Sequence, residues 1–202
     1  MAADTVICNL ALGHLGISKE IANVETEKSA SASACRRYLQ PAKDETLRDF
    51  NWPFATEYAT LGLVETSPNS DWAYSYRQPS NCARIRKILS GIRNDSRQSR
   101  VPYEKASDTD GILIFTDEVN AVLKYTKFIT DNTLFDQDYI MMLTLLLASY
   151  IAPRVTSGDP FKLGERSFRL YTNSKEKAQS SALNEQQDEE QVEAESIRAR
   201  ES

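Results

Sequence analysis

Residues 136–151 read DQDYIMMLTLLLASYI, and the spread of their apolar side chains decides what fold the chain can adopt. Asp136 can cap a helix on which Ile140, Leu143, Leu147, Tyr150 and Ile151 cover most of the circumference. A helix without a wet face must be covered from several sides, so the stretch reads as the central helix of a bundle. The apolar run Tyr139 to Pro153 is interrupted by Thr144 and Ser149 and reads as too short for a membrane span.

Working outward, three further segments have helical spacing. Residues 4–16 put Val6, Leu10 and His14 near one stripe, with Ile7, Ala11 and Leu15 beside it, and Asp4 or Thr5 can cap the start. Residues 27–50 repeat Ala32, Cys35, Leu39, Ala42 and Thr46 at three or four, while Arg36, Arg37, Lys43 and Arg48 mark other faces. Pro41 lies inside that pattern and predicts a kink or a division in two. Asp159-Pro160 is an N-cap followed by proline at the first helical position, opening a helix through Phe161, Leu163, Phe168 and Tyr171 to about Ala182.

Between these helices the chemistry changes. Asn51-Trp52-Pro53-Phe54 places two large aromatics around a proline, so Trp52 and Phe54 are expected core anchors. Ser67 to Pro79 has turn composition and marks the expected boundary of an insertion. Residues 82–89, CARIRKIL, alternate as a strand, and Asp108-Thr109-Asp110-Gly111 is a turn before Ile112 to Phe115. With Val101–Glu104 and Asn120–Ile129, this predicts three to five antiparallel strands. The expected fold is α+β, a helical bundle with an inserted antiparallel β domain and an extended C-terminal arm. Its parts are 1–66 with 130–183 as the bundle, 67–129 as the β domain and 184–202 as an acidic tail.

The 202 residues hold 24 Lys+Arg and 29 Asp+Glu, a formal charge of −5. Residues 1–184 contain 22 of each, so the whole excess lies in the tail. Residues 77–105 are locally basic through Arg77, Arg84, Arg86, Lys87, Arg93, Arg97, Arg100 and Lys105, with Trp72, Tyr74, Tyr76 and Tyr103 nearby. Such a mixture suits a protein interface first, then a solvated face, and last nucleic-acid phosphates. No catalytic, cofactor or metal site is expected. His14 is the only histidine, no Gly-rich phosphate loop or metal motif is present, and Cys8, Cys35 and Cys82 read as reduced, partly buried thiols. Asp108, Asp110, Asp117 and Glu118 lack the ligand order of a calcium loop and read as turn and strand-end residues. Asp44, Glu45 and Asp49, beside Lys43 and Arg48, suit ion pairing or contact between subunits. No basic n-region followed by an apolar h-region opens the chain, so no cleaved secretion signal is expected.

The succession ICNLALGHLG (7–16) with Ile21, ACRRYLQPAKDETLRDFNWPFA (34–55), YRQPSNCARIRKIL (76–89) and AVLKYTKFITDNTLFDQDYIMMLTLLLASYIAPRVTSGD (121–159), then the last helix, resembles the phage tail tubular protein A family. These are head-to-tail adaptors of tailed bacteriophages, and the likeness spans about residues 3–183. It implies a ring, usually of twelve copies, between the portal protein and the tail nozzle or next tail protein. The ring extends the exit channel through which genomic DNA passes without sequence-specific binding. Implied localisation is the virion's head–tail junction, and the host cytoplasm during assembly, with no membrane partner. Carried onto this chain, the segment after Leu183 becomes a portal-docking arm, with Phe168 and Tyr171 at its root and Val192 and Ile197 along it. Arg77, Arg84, Arg86, Lys87, Arg93, Arg97, Arg100 and Trp72 become candidates for a subunit or tail interface. The resemblance implies no catalytic residue. Two other readings stand beside it: a nucleic-acid-binding module using 77–105, and a tail hydrolase relying on Asp117 or Glu118.

Overall fold

Four helices and seven strands are present among the residues described by the computed structural model, 4–91 and 100–185, with side chains described to 178. The fold is α+β, with helices flanking an antiparallel β region. Helices α1 (Asp4–His14) and α2 (Ala30–Asp49) precede the strands; α3 (Gln137–Val155) and α4 (Leu163–Glu185) follow them.

Helix α3 lies at the centre. Its Tyr139, Leu143, Leu146, Leu147, Ala148 and Ile151 have no exposed surface, because α1, α2 and α4 all pack against it. By length and composition α3 is apolar enough to cross a bilayer, which the shorter run Tyr139–Pro153 had argued against, but its placement is that of a core helix. Small side chains let the neighbours approach. Ala32, Ala34, Cys35 and Ala42 form the inner face of α2, and a Cβ on Gly164 of α4 would stand 2.9 Å from that of Ala152.

Several local expectations need correction. Helix α2 is not divided at Pro41 and continues to Asp49, since packing on α3 outweighs one lost backbone hydrogen bond. Its start is set by Ser29, whose Oγ accepts from the Ala32 N–H at 3.2 Å. Lys43 sits on the inner face at 5 % exposure, four residues from both Leu39 and Leu47. The stripe Val6–Leu10 of α1 faces outward, and Ile7, Cys8, Ala11 and Leu12 are the buried set. Both sides of that helix are apolar, so its periodicity does not choose between them. Pro160 lies in the turn before α4, not at its first position. Asp159 still serves the helix start, accepting from the N–H groups of Leu163 (2.7 Å) and Gly164 (2.8 Å).

The strands number seven instead of three to five, and two lie ahead of residue 67. They are β1 (Thr56–Thr60), β2 (Gly62–Thr66), β3 (Tyr74–Arg77), β4 (Cys82–Leu89), β5 (Glu104–Asp108), β6 (Gly111–Thr116) and β7 (Val122–Lys127). Two antiparallel sheets result, ordered β1-β7-β4 and β2-β3-β6-β5. Strands β1 and β2 have weak alternation of their own; their partners β7 and β3 define them. The turn at Asp108–Gly111 closes the β5–β6 hairpin, with those two residues paired. In β4, register shifts after Cys82 and Ile85 break the simple alternation. Each shift inserts a residue, so the buried positions become Cys82, Ile85 and Ile88.

Two hydrophobic cores follow. One joins the helices to Trp52 and Phe135; the other joins the sheets through Leu61, Tyr76, Ile88, Ile114, Leu123 and Tyr125. Trp52 is 2 % exposed, donates its indole N–H to the Thr46 carbonyl at 2.8 Å and meets Phe50 and Tyr139 edge-on. Phe54 is half-buried against Tyr139 and Phe135.

Candidate functional site

The charges of the basic segment, 77–105, distinguish the interface and nucleic-acid readings. Arg86 projects from β4 toward the junction of the two cores. Its Nε donates to Thr126 Oγ1 (2.9 Å), one terminal nitrogen to Thr56 Oγ1 (2.6 Å) and the other to the Trp52 carbonyl (2.7 Å). Partial burial lowers its pKa from the usual guanidinium value. These three acceptors are uncharged, and they tie β4, β7, β1 and the end of the Trp52 turn together.

Arg77, on β3, grips Asp108 with both terminal nitrogens, at 2.6 and 2.8 Å, and lies 4.0 Å from Asp110. That guanidinium holds the Asp108 carboxyl well below the usual range, at about 2. Arg84 is exposed and donates to the Arg48 carbonyl at 2.8 Å. Lys87 is half-buried on β4, and Arg100 is exposed. Trp72 donates its indole N–H to Glu104 at 2.9 Å. Arg93 and Arg97 lie outside the described residues. Among the described residues, Arg77, Arg84 and Arg86 thus spend donors within their own chain.

The carboxylates have structural partners too. Asp117 accepts from the Ala73 N–H at 2.9 Å, whereas at Glu118 it is the backbone carbonyl, not the carboxylate, that accepts from the Tyr76 hydroxyl at 2.9 Å. No cluster able to hold a metal ion occurs among the described residues. On α2, Asp44 accepts from Gln40 (2.8 Å), Glu45 from the Tyr150 hydroxyl, and Asp49 from the Tyr171 hydroxyl (2.5 Å) and Lys175 (2.9 Å). Glu45 and Asp49 thereby tie α2 to α3 and α4 within one chain. Burial, followed by these carboxylates, raises the pKa values of Tyr150 and Tyr171.

His14 Nε2 approaches Thr144 Oγ1 at 3.2 Å. The Thr144 hydroxyl donates to the Met141 carbonyl at 2.9 Å, so it accepts from His14. Partial burial lowers the imidazole pKa. Cys8, Cys35 and Cys82 are free and buried. The hydrogen bond to Cys35 and then burial push the Cys8 thiol far up.

Among the docking candidates, Phe168 is half-exposed while Tyr171 is 3 % exposed and faces α2. Tyr171 therefore holds α4 to the frame and is not free to meet a partner. Leu183 falls within α4, beyond the described side chains, and Val192 and Ile197 lie outside the described residues.

Two features escaped the reading of the sequence. Lys43 Nζ contacts Asp4 (2.6 Å) and Asn132 (3.0 Å), and Asn132 donates to the same Asp4 oxygen (2.5 Å). Its place four residues from two apolar positions of α2 was the available signal. The second is exposed apolar surface: Val6 and Leu10 on α1, Leu63 and Val64 on β2, and Phe161 before α4. Nothing in local composition distinguishes these from core positions. No protein-family model and no curated protein matches the chain.

Proposed function

We propose that this chain is a structural head-to-tail adaptor of a tailed bacteriophage. Copies assemble into a ring, dodecameric by the resemblance, between the portal protein and the tail nozzle or next tail protein. Genomic DNA passes through the lumen without sequence-specific binding. The ring supports tail assembly and genome ejection.

One observation carries the reading beyond the resemblance. The chain ties charged groups to itself while leaving large apolar side chains on outer helix faces and a sheet edge. Val6, Leu10, Leu63, Val64, Phe161 and Phe168 are each between 46 and 81 % exposed. Surface of that kind suits contact with other protein, and a closed ring satisfies head-to-tail contacts without open polymerisation. Helix α4, held to α2 by Tyr171 and Lys175, leads toward the acid-rich residues 184–202. That segment is the proposed portal-docking arm.

The test mixes the purified full chain with purified portal rings and weighs the products by native mass spectrometry. A portal-bound ring is expected, and deletion of 186–202 should abolish portal binding without unfolding the chain. A chain that stays monomeric both alone and with portal rings overturns the reading. The nucleic-acid reading finds less support, because Arg77 and Arg86 spend donors on partners within their own chain.

A further inference from the structure

Strand β2 is an edge strand whose five residues are all exposed, including Leu63 at 55 % and Val64 at 47 %. It contains neither proline nor lysine, two residues that commonly protect edges. At the other edge of the same sheet stands β5, also five residues long. An edge with apolar exposure and open backbone groups is a template for another strand.

Strand parity says how a second copy would meet it. Along β2-β3-β6-β5 every pair is antiparallel, so in a sheet of four the two edge strands run in opposite directions. Two copies set side by side in the same orientation, as in a cyclic ring, therefore bring β5 of one against β2 of the next as an antiparallel pair. The other sheet has three strands, also all antiparallel, so its edges run the same way. They would meet as a parallel pair, the less stable arrangement.

Charge favours the same seam. On β5, Glu104 is bonded to Trp72 and Asp108 to Arg77. Lys105 is left without an ion-pair partner among the described residues, as is Glu65 on β2. A β2–β5 seam brings together edges of opposite residual charge, whereas β2–β2 or β5–β5 contact repeats like charge.

We propose that the four-stranded sheet continues from one copy of the chain into the next, β2 (Gly62–Thr66) of one copy pairing antiparallel with β5 (Glu104–Asp108) of its neighbour. This deepens the ring reading by assigning a subunit seam. Antiparallel partners lie about 4.5–5.5 Å apart at Cα, within disulfide reach. The experiment uses the full chain with Val64→Cys, mixed in turn with Lys105→Cys, Ala106→Cys and Ser107→Cys chains under mild oxidation. At least one mixture should give a covalent dimer of doubled mass on a non-reducing gel. A chain carrying both substitutions of that pair should give a ladder of covalent oligomers. Tyr58→Cys, exposed on the edge of the other sheet, should not cross-link to any of the three. Self-linking of Val64→Cys alone overturns the proposal in favour of a two-fold contact. A multi-copy ring without any of these cross-links overturns the seam and leaves the adaptor reading standing. A chain monomeric both alone and with portal rings overturns both.

Discussion

Replacing Arg86 by Met should destabilise the fold by about 2–3 kcal/mol, although Arg86 belongs to a segment whose charges suggest an external partner. Met retains a long apolar stem for packing and removes the donors to Thr126, Thr56 and Trp52. Hydrogen bonds from a charged donor contribute about 1.5–3 kcal/mol each. The desolvation of a half-buried guanidinium offsets part of that sum. Both threonine hydroxyls can turn to other partners, but the Trp52 carbonyl belongs to the turn between the cores and loses a charged donor. The net figure therefore stays near that of one or two bonds. For a chain of this size it corresponds to a fall in Tm of roughly 4–12 °C. Arg84→Met, which removes one bond from an exposed side chain, is the control and should cost about 0.5 kcal/mol or less. Urea unfolding followed by tryptophan fluorescence is suitable, because Trp52 lies in the helical core and Trp72 bonds within the β region. In an otherwise intact Trp72→Phe background, the signal reports on Trp52 alone. If Arg86→Met costs no more than Arg84→Met, Arg86 is not the strut described above and regains its standing as an interface candidate.

Lys43→Met and Asp4→Asn, measured singly and together, should show a coupling energy of about 1–2 kcal/mol; additive costs would mean that the 2.6 Å pair does not hold α1 to α2. The single histidine permits direct NMR titration, and its pKa should fall below about 6.5, the value for a free imidazole. The unfolded chain then binds the extra proton, so the His14 contribution to stability is lost as pH drops below about 6.5; a measured pKa above that contradicts the burial argument. Ellman's reagent should find no fast-reacting thiol in the native chain and three after denaturation, whereas a rapid native reaction would show that a cysteine is accessible. Gly164→Ala should cost about 1–3 kcal/mol through overpacking against Ala152 and Ser149, and unchanged thermal unfolding would show that α4 can shift outward freely.

Local signals sufficed where one neighbourhood controls the outcome. The all-round apolar character of residues 139–151 predicts a central helix, because such a helix cannot be solvated from any side. Trp52 and Phe54 around Pro53 predict an anchor, and CARIRKIL predicts a strand, with bounds matching β4. Asp108–Gly111 predicts a hairpin turn, since its residues tolerate the required backbone. None of these depends on a distant part of the chain.

Other outcomes arise only when distant segments meet. Whether Arg77 and Arg86 serve a partner or their own fold depends on Asp108, Thr126, Thr56 and Trp52, all remote from them in sequence. Lys43 becomes a core residue because Asp4 and Asn132 arrive from the two sequence halves of the helical frame. Strands β1 and β2 exist because β7 and β3 supply their hydrogen-bonding partners. Composition and periodicity alone determined a helical frame around one apolar helix, with β structure between its halves. Tertiary structure decided which charges are already paired and which sheet edges remain open, because pairing is a property of two surfaces and not of either sequence alone.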